Sequence, residues 1–244
     1  PNYFIIENVP NLARHQNGKT WTKILNELRG TGYEIADKLL SPHDFGVSQV
    51  RDRTFIVGNR SGLAYFQWPE VYSRKNTTIH SVLDDNPENA RKLTKEACHY
   101  LDTWQEFLNH YPKHSELPSF PIWAMEFGAN YPTHFSSRDD FISQLSSGTR
   151  LSFGRKPLSF DLDDITSGLP TYARDLSKPF PEWKRKFIQQ NRDFYICHKS
   201  WLDKWLPKIK PFQPSYQKFE WNCKGTEKTL WDKIIQFGAS GIRV

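Results

Sequence analysis

The stretch YFIIENVPNL, residues 3–12, opens on four residues suited to a buried strand, Tyr3 to Ile6, then breaks into Glu7, Asn8, Val9 and Pro10. Aromatic and β-branched residues fit a pleated, half-buried surface, whereas Pro cannot donate to a ladder. The run therefore reads as a short strand that delivers a carboxylate and an amide at its tip. Outward from it, Trp21, Ile24, Leu25 and Leu28 fall at helical spacing within the segment Thr20 to Leu28, and Gly30 and Gly32 stop that pattern. Tyr33 to Leu40, Arg53 to Gly58 and Leu63 to Phe66 read as further strands bounded by turn residues. Strand and helix in alternation are the grammar of an α/β sheet, expected here to be mostly parallel.

From Trp68 the grammar changes. Asn86 to Tyr111 reads as one long helix, opened by Asn86-Pro87-Glu88 and closed before Pro112. The rest is rich in Pro and Trp, which predicts long ordered loops braced by aromatics rather than a regular sheet. The expected domains are thus 1–67 and 68–244, with no internal repeat.

With 244 residues, 37% hydrophobic and 25% charged, the chain is long enough for real cores. No apolar run approaches a membrane span, and the first residues lack the zones of a signal peptide, so a cytoplasmic protein is expected. The three cysteines, Cys98, Cys197 and Cys223, are isolated from one another, which argues against both a disulfide framework and a zinc site. Nucleophile elbows and phosphate-cradling glycine loops are absent too. Asp161, Asp163 and Asp164 cluster, but Asp is at home at a helix start or in a turn, and those two readings are preferred over a divalent ion.

Charge is concentrated late in the chain. Residues 178–210 hold nine Lys or Arg against three acids, an excess equal to the whole formal charge of +6. Trp183, Phe187, Phe194, Tyr195, Trp201 and Trp205 are interleaved with them. Such a stretch suits either a surface that tracks a nucleic-acid backbone or a helical core with a solvated basic face.

A second informative stretch is DFGVSQVRDRTFIVG, residues 44–58. Gln49, Arg51 and Arg53 alternate, so in an extended chain both arginines share one face, anchored by Phe55 to Val57. Paired guanidiniums offer rigid forks of donors to phosphate or carbonyl groups.

Taken together, Glu7-Asn8-Val9 at a strand end, Asp44-Phe45-Gly46-Val47, and Gln49-Val50-Arg51-Asp52-Arg53 running into Phe55-Ile56-Val57-Gly58 resemble the sixth and eighth ordered motifs of cytosine-5 DNA methyltransferases. The resemblance covers residues 1–66. It implies an α/β fold: part of a Rossmann-like methyltransferase sheet, followed by a larger, irregular α+β target recognition domain. It also implies double-stranded DNA as partner and S-adenosylmethionine as cofactor of the complete enzyme, in a bacterial, restriction-modification setting.

In that family a cysteine thiolate adds to the sixth carbon of a flipped cytosine while an acid engages N3, so that carbon 5 can attack the cofactor's methyl group. By resemblance Glu7 is that acid and Asn8 holds its loop. Arg53 would donate to O2 or a flanking phosphate, and Arg51 would brace the catalytic loop or bind phosphate. Gln49 and Val9 would support the site. The DNA contacts would come from Lys178, Lys184, Arg185, Lys186, Arg192, Lys199 and Lys204.

None of the three cysteines lies in the family's Pro-Cys-Gln turn, and the cofactor motifs would precede residue 1. The ninth motif would follow Ile242-Arg243-Val244. The chain is therefore expected to be inactive alone and to need the missing segments, or a second chain that carries them. A non-catalytic, sequence-specific DNA-binding module derived from this family is the alternative.

Overall fold

The structure, a computed structural model, describes every residue except 72–78, 86, 224–226 and 232. The described chain divides into two compact units, Pro1–Arg91 and Lys92–Val244.

In the first unit β1 spans Tyr3–Asn8. A short helix, α1 (Asn11–Arg14), leads to three successive left-handed residues, Gln16, Asn17 and Gly18, which turn the chain into α2 (Lys19–Gly30). α2 buries Leu25 and ends where Thr31 Oγ1 donates to the Leu28 carbonyl at 2.8 Å. Strands β2 (Glu34–Leu40) and β3 (Arg53–Asn59) complete a sheet of order β1-β3-β2.

The expected mostly parallel pairing does not hold for these strands. β1 and β2 run the same way, but β3 lies between them and pairs antiparallel with both. β3 carries the run of buried residues Ile56, Val57 and Gly58, so it takes the central, fully paired position. Its glycine has a packing reason: Phe4 faces Gly58 across the ladder, and a Cβ there would overlap the Phe4 ring. Leu63 to Phe66, expected as a strand, is a turn instead. Gly62 at φ +92° bends the chain, and Phe66 N–H donates to the Leu63 carbonyl at 2.9 Å.

In the second unit the helix expected from Asn86 is shorter. α3 spans Lys95–His110 and is capped by Thr94, whose Oγ1 accepts from Ala97 N–H at 3.1 Å. Asn86 lies outside the described residues, and 87–94 are not helical. A side-chain oxygen satisfies first-turn N–H groups, so the helix starts at the cap and not at the proline before it. α4 (Arg138–Ser143) and α5 (Leu162–Gly168) follow, and Asp161 caps α5 by accepting from Asp164 N–H at 2.8 Å. Of the two readings, helix start or turn, the acidic cluster is the helix start.

The spine of this unit is α6 (Glu182–Ile209). Ile188 near its start packs in one apolar cluster with Met125, Tyr131, Phe141 and Ile165. Phe194, Leu202, Trp205 and Ile209 pack in another with Trp104, Phe107 and Phe219. Trp104 stacks on Phe219 at 4.7 Å, and the two most deeply buried indoles are satisfied: Trp104 donates to the Tyr216 carbonyl, Trp205 to that of Thr103. Against this lies a sheet of β4 (Ile122–Trp123), β5 (Lys218–Glu220), β6 (Gln236–Gly238) and β7 (Gly241–Arg243), in the order β4-β5-β7-β6. Ile242 of the closing segment is buried in it. The chain is thus a mixed α/β protein with a larger, loop-rich α+β second part. No helix among the described residues is long and apolar enough to cross a membrane.

Candidate active site

Register builds the site. Glu7 stands opposite Phe55, and Leu40 opposite Arg53. Paired residues share a face, as do residues two apart on one strand, so Glu7, Leu40, Arg53 and Phe55 project to one side of the sheet. Arg51 extends the same alternation. All five, with Ser41, Pro42 and Phe45, line a recess of 350 Å³, near the lower end of the roughly 300–1,000 Å³ typical of ligand pockets.

Within it Arg53 Nε lies 2.8 Å from Glu7 Oε1, a diagonal cross-strand pair. The arginine side chain is 18% exposed and the carboxylate 47%, so the acid is the partner open to a ligand. Arg53 Nη1 also donates to the Asp52 carbonyl at 2.7 Å, which fixes the fork. Arg51 is placed through its backbone: its N–H donates to Ser41 Oγ at 3.0 Å. Ser41 is buried and forms a capping box with Asp44 over the 3₁₀ turn Pro42–Phe45, which Gly46 ends at φ +81°. The Asp44 and Gly46 of the sequence motif thus make the turn that carries Arg51 to the recess. Ser41 is the residue no motif singled out. Asn8 accepts from Val9 N–H at 2.8 Å and holds the strand tip. Gln49 is exposed and outside the recess lining, with its N–H donated to the Val47 carbonyl at 2.7 Å.

The arrangement sets an acceptor beside a rigid fork of donors at the mouth of a mostly apolar recess, which suits a planar group with a donor–acceptor edge. A family model described as C-5 cytosine-specific DNA methylase matches residues 1–147, more than half of the chain. The chain belongs to that family.

Among its curated relatives, this methylase chain is 24% identical to the Type II methyltransferase M.AluI of Cellulosimicrobium cellulans, over 100% of its own length and 57% of that protein's. It is 37% identical to M1.ScrFI of Lactococcus lactis subsp. cremoris over 38% of its own length and 26% of the relative's. It therefore spans little more than half the length of the first of these and about a quarter of the second. A solved methyltransferase of Entamoeba histolytica, EhMeth, aligns over 84% of this chain and 62% of its own, at 14% identity and a TM-score of 0.32.

The family uses S-adenosylmethionine. In this chain the connection after β1, residues 9–18, holds one glycine, Gly18, and Pro10, and the recess beside Glu7 is lined by two arginines and apolar rings. Neither fits the glycine-rich turn such a cofactor needs at a strand end. Among the described residues no group of three or more His, Cys, Asp or Glu is placed to hold a metal ion.

The basic stretch distributes its side chains in two directions. Phe180, Phe194 and Trp205 are buried, Phe187, Tyr195 and Trp201 partly so, and Trp183 is exposed. The interleaved aromatics therefore serve mainly as core rather than as a stacking platform. Arg192 turns inward: its Nε lies 3.1 Å from Oε2 of the fully buried Glu126, and Nη1 donates to the Tyr131 carbonyl at 3.0 Å. Lys184 donates to the Tyr172 carbonyl at 2.8 Å, and Arg185 lies against His134. Lys199 pairs with Asp203 at 2.5 Å on the surface, and that bond raises its pKa. Lys178, Lys186 and Lys204 are exposed.

Glu126 is the buried residue that sequence reasoning missed. It accepts from Tyr131, from Tyr172 at 2.5 Å and from Arg192. Burial first, and the charge of Glu126 second, push both tyrosine hydroxyls well above their ordinary pKa.

Proposed function

We propose that this chain is the base-handling and target-recognition portion of a cytosine-5 DNA methyltransferase. Its first 67 residues belong to the catalytic domain and the remainder to the recognition domain. The observation that carries the reading is the Glu7–Arg53 pair at 2.8 Å on the rim of a base-sized recess. A flipped cytosine entering it meets Glu7 at its Watson–Crick edge. The carboxyl accepts from the exocyclic amine and, when protonated, donates to N3. Arg53 donates to O2, where charge builds as the ring is attacked, and Arg51 neutralises a flanking phosphate. Asn8, Val9 and Gln49 keep the strand tip and the arginine turn in place. The exposed Lys178, Lys186 and Lys204 supply long-range attraction to duplex DNA.

The nucleophile comes from a Pro-Cys-Gln segment supplied together with the cofactor site, so the chain alone binds DNA without methylating it. The test is reassembly with a separately expressed segment carrying that turn. Labelled methyl transfer to duplex DNA should appear only in the mixture and fall about 100-fold with Glu7→Gln, the order expected of a general acid. Duplex affinity should change less than twofold. Equal loss of methylation and binding would remove Glu7 from the chemistry.

A further inference from the structure

The geometry points to a seat for a DNA phosphodiester in the second unit, built by Arg155 and Arg174 and separate from the basic helix α6. The inference rests on the reading above that this unit contacts DNA, and it assigns one anchoring point.

A recess of 330 Å³ is lined by Ser152, Arg155, Ser167, Thr171, Arg174 and Gln217, among others. Two guanidiniums and the hydroxyls of Ser152 and Thr171 line it, the Ser167 hydroxyl donates to the Asp164 carbonyl at 3.0 Å, and no Asp or Glu is part of the lining. That is the donor set of a phosphate site: forked charged donors supplemented by neutral O–H groups. Both arginines are held at the C-terminal end of α5. Arg174 Nε donates to the Leu169 carbonyl at 3.1 Å and Nη2 to that of Ser167 at 3.0 Å, and Arg155 Nη2 donates to the Asp164 carbonyl at 3.4 Å. Those bonds use two of the five N–H donors of Arg174 and one of those of Arg155. The remainder of each fork is presented by a side chain already fixed in place. Asp164 stands behind Arg155 at 3.5 Å, its other oxygen accepting from the backbone of Leu158 and Ser159, so one carboxylate offsets part of one cation.

Two further features mark the recess as built. Gly168 leaves room for Arg155, because a Cβ there would overlap the guanidinium. Phe153, on the lining, holds a left-handed backbone at φ +55°, a conformation costly for an aromatic residue and concentrated at ligand sites. Lys210 lies over the ring of Phe153 at 5.9 Å and adds a third positive charge at the rim. A recess, unlike a protruding helix, suits a backbone group that stands out from the duplex better than a base edge inside a groove.

The test uses the full chain. Dimethyl phosphate, a phosphodiester monoanion, should shift the Arg155 and Arg174 Nε–H resonances in its NMR spectrum. The double variant Arg155→Ala/Arg174→Ala should weaken duplex binding about tenfold on any sequence and lower the salt slope by about one, the share of a single phosphate. Because both arginines also hold α5, Ser152→Ala/Thr171→Val provides a second variant that keeps those bonds. It should weaken the dimethyl phosphate shifts without altering thermal stability. Unmoved arginine signals, or a folded double variant with the parental salt slope, would overturn the proposal. Signals that move with inorganic phosphate but not with the diester or duplex would assign the seat to a free phosphate instead. If the parent chain fails to bind duplex DNA, the DNA reading falls, and the dimethyl phosphate shifts alone decide whether a phosphate seat exists.

Discussion

Each unit contains an arginine–glutamate pair of similar length, Arg53–Glu7 at 2.8 Å and Arg192–Glu126 at 3.1 Å, and their surroundings differ in almost every respect. Glu7 is half exposed, is reached by one guanidinium nitrogen and borders an open recess. Glu126 is fully buried and is saturated by two tyrosine hydroxyls and Arg192, whose guanidinium also lies over the Tyr131 ring at 4.4 Å. A buried carboxylate with every partner in place is a structural unit, because no ligand can reach it and losing one partner strands a charge. A half-exposed carboxylate beside an ordered guanidinium is poised for exchange: a ligand can replace solvent without dismantling the fold. Distance alone does not separate the two roles; burial and the count of remaining partners do.

The sharpest way to break this contrast is to remove one arginine from each pair. Arg192→Ala should destabilise the second unit by about 3–5 kcal/mol, the usual cost of leaving a buried charge unpaired. Urea unfolding followed by tryptophan fluorescence would measure it, and a loss under 1 kcal/mol would show that Glu126 does not depend on its partner. Next in size is Glu7→Gln. Its expected 100-fold loss of methyl transfer in the reassembled enzyme should come with a stability change of no more than about 1 kcal/mol, as for an exposed pair.

The pairs should also separate by pH. Tyr131 and Tyr172 titrate higher in the folded than in the unfolded chain, chiefly because burial disfavours phenolate. Above the unfolded tyrosine pKa of about 10 the unfolded state releases protons that the native state keeps, so stability falls as pH rises. The stabilisation is complete below that value and is lost as pH climbs toward the folded pKa. Urea midpoints of the second unit should therefore drop between about pH 9.5 and 11, and Tyr131→Phe/Tyr172→Phe should flatten that slope. An unchanged slope would mean that these two hydroxyls are not the groups responsible.

The same contrast explains what could be read in advance. β1, α2 and β3 were legible because each satisfies its period locally and is bounded by Pro or Gly. Glu7 and Arg53 were legible because the motifs that carry them sit at strand ends. The antiparallel insertion of β3 was not, since strand pairing depends on which distant segment completes the ladder. Ser41 escaped notice because its role, accepting from Arg51 N–H, arises only once the 3₁₀ turn forms. Glu126 and Arg192 are 66 residues apart, and no local pattern distinguishes a glutamate destined for burial from an exposed one. The strands of the second sheet span two or three residues each, too few for alternation to show. In the basic stretch a signal was present: Ile188, Asn191, Phe194, Leu202, Trp205 and Ile209 fall mostly three or four residues, or two turns, apart, which marks one buried helix face. Followed through, that spacing assigns Phe194 and Trp205 to the core and most of the cations between them to the outer face, with Arg192, drawn inward by Glu126, as the exception no spacing shows.

The smallest expected effect discriminates most finely between the pairs. Arg53→Lys keeps the charge but replaces a planar fork by a point donor. At the half-exposed Glu7 the ammonium can reach the carboxylate in several rotamers, and solvent completes whatever is lost. The first unit should therefore change by only a few tenths of a kcal/mol, an amount about 0.5 M salt should erase by screening. Arg192→Lys has no such latitude, because Nε and Nη1 of Arg192 serve Glu126 and the Tyr131 carbonyl at once, and a lysine cannot span both in a packed site. Its cost should exceed that of Arg53→Lys by at least about 1 kcal/mol and should resist salt. Equal, salt-sensitive losses at both positions would mean that the two pairs are energetically alike, and that the exposure of Glu7 does not mark it for a ligand.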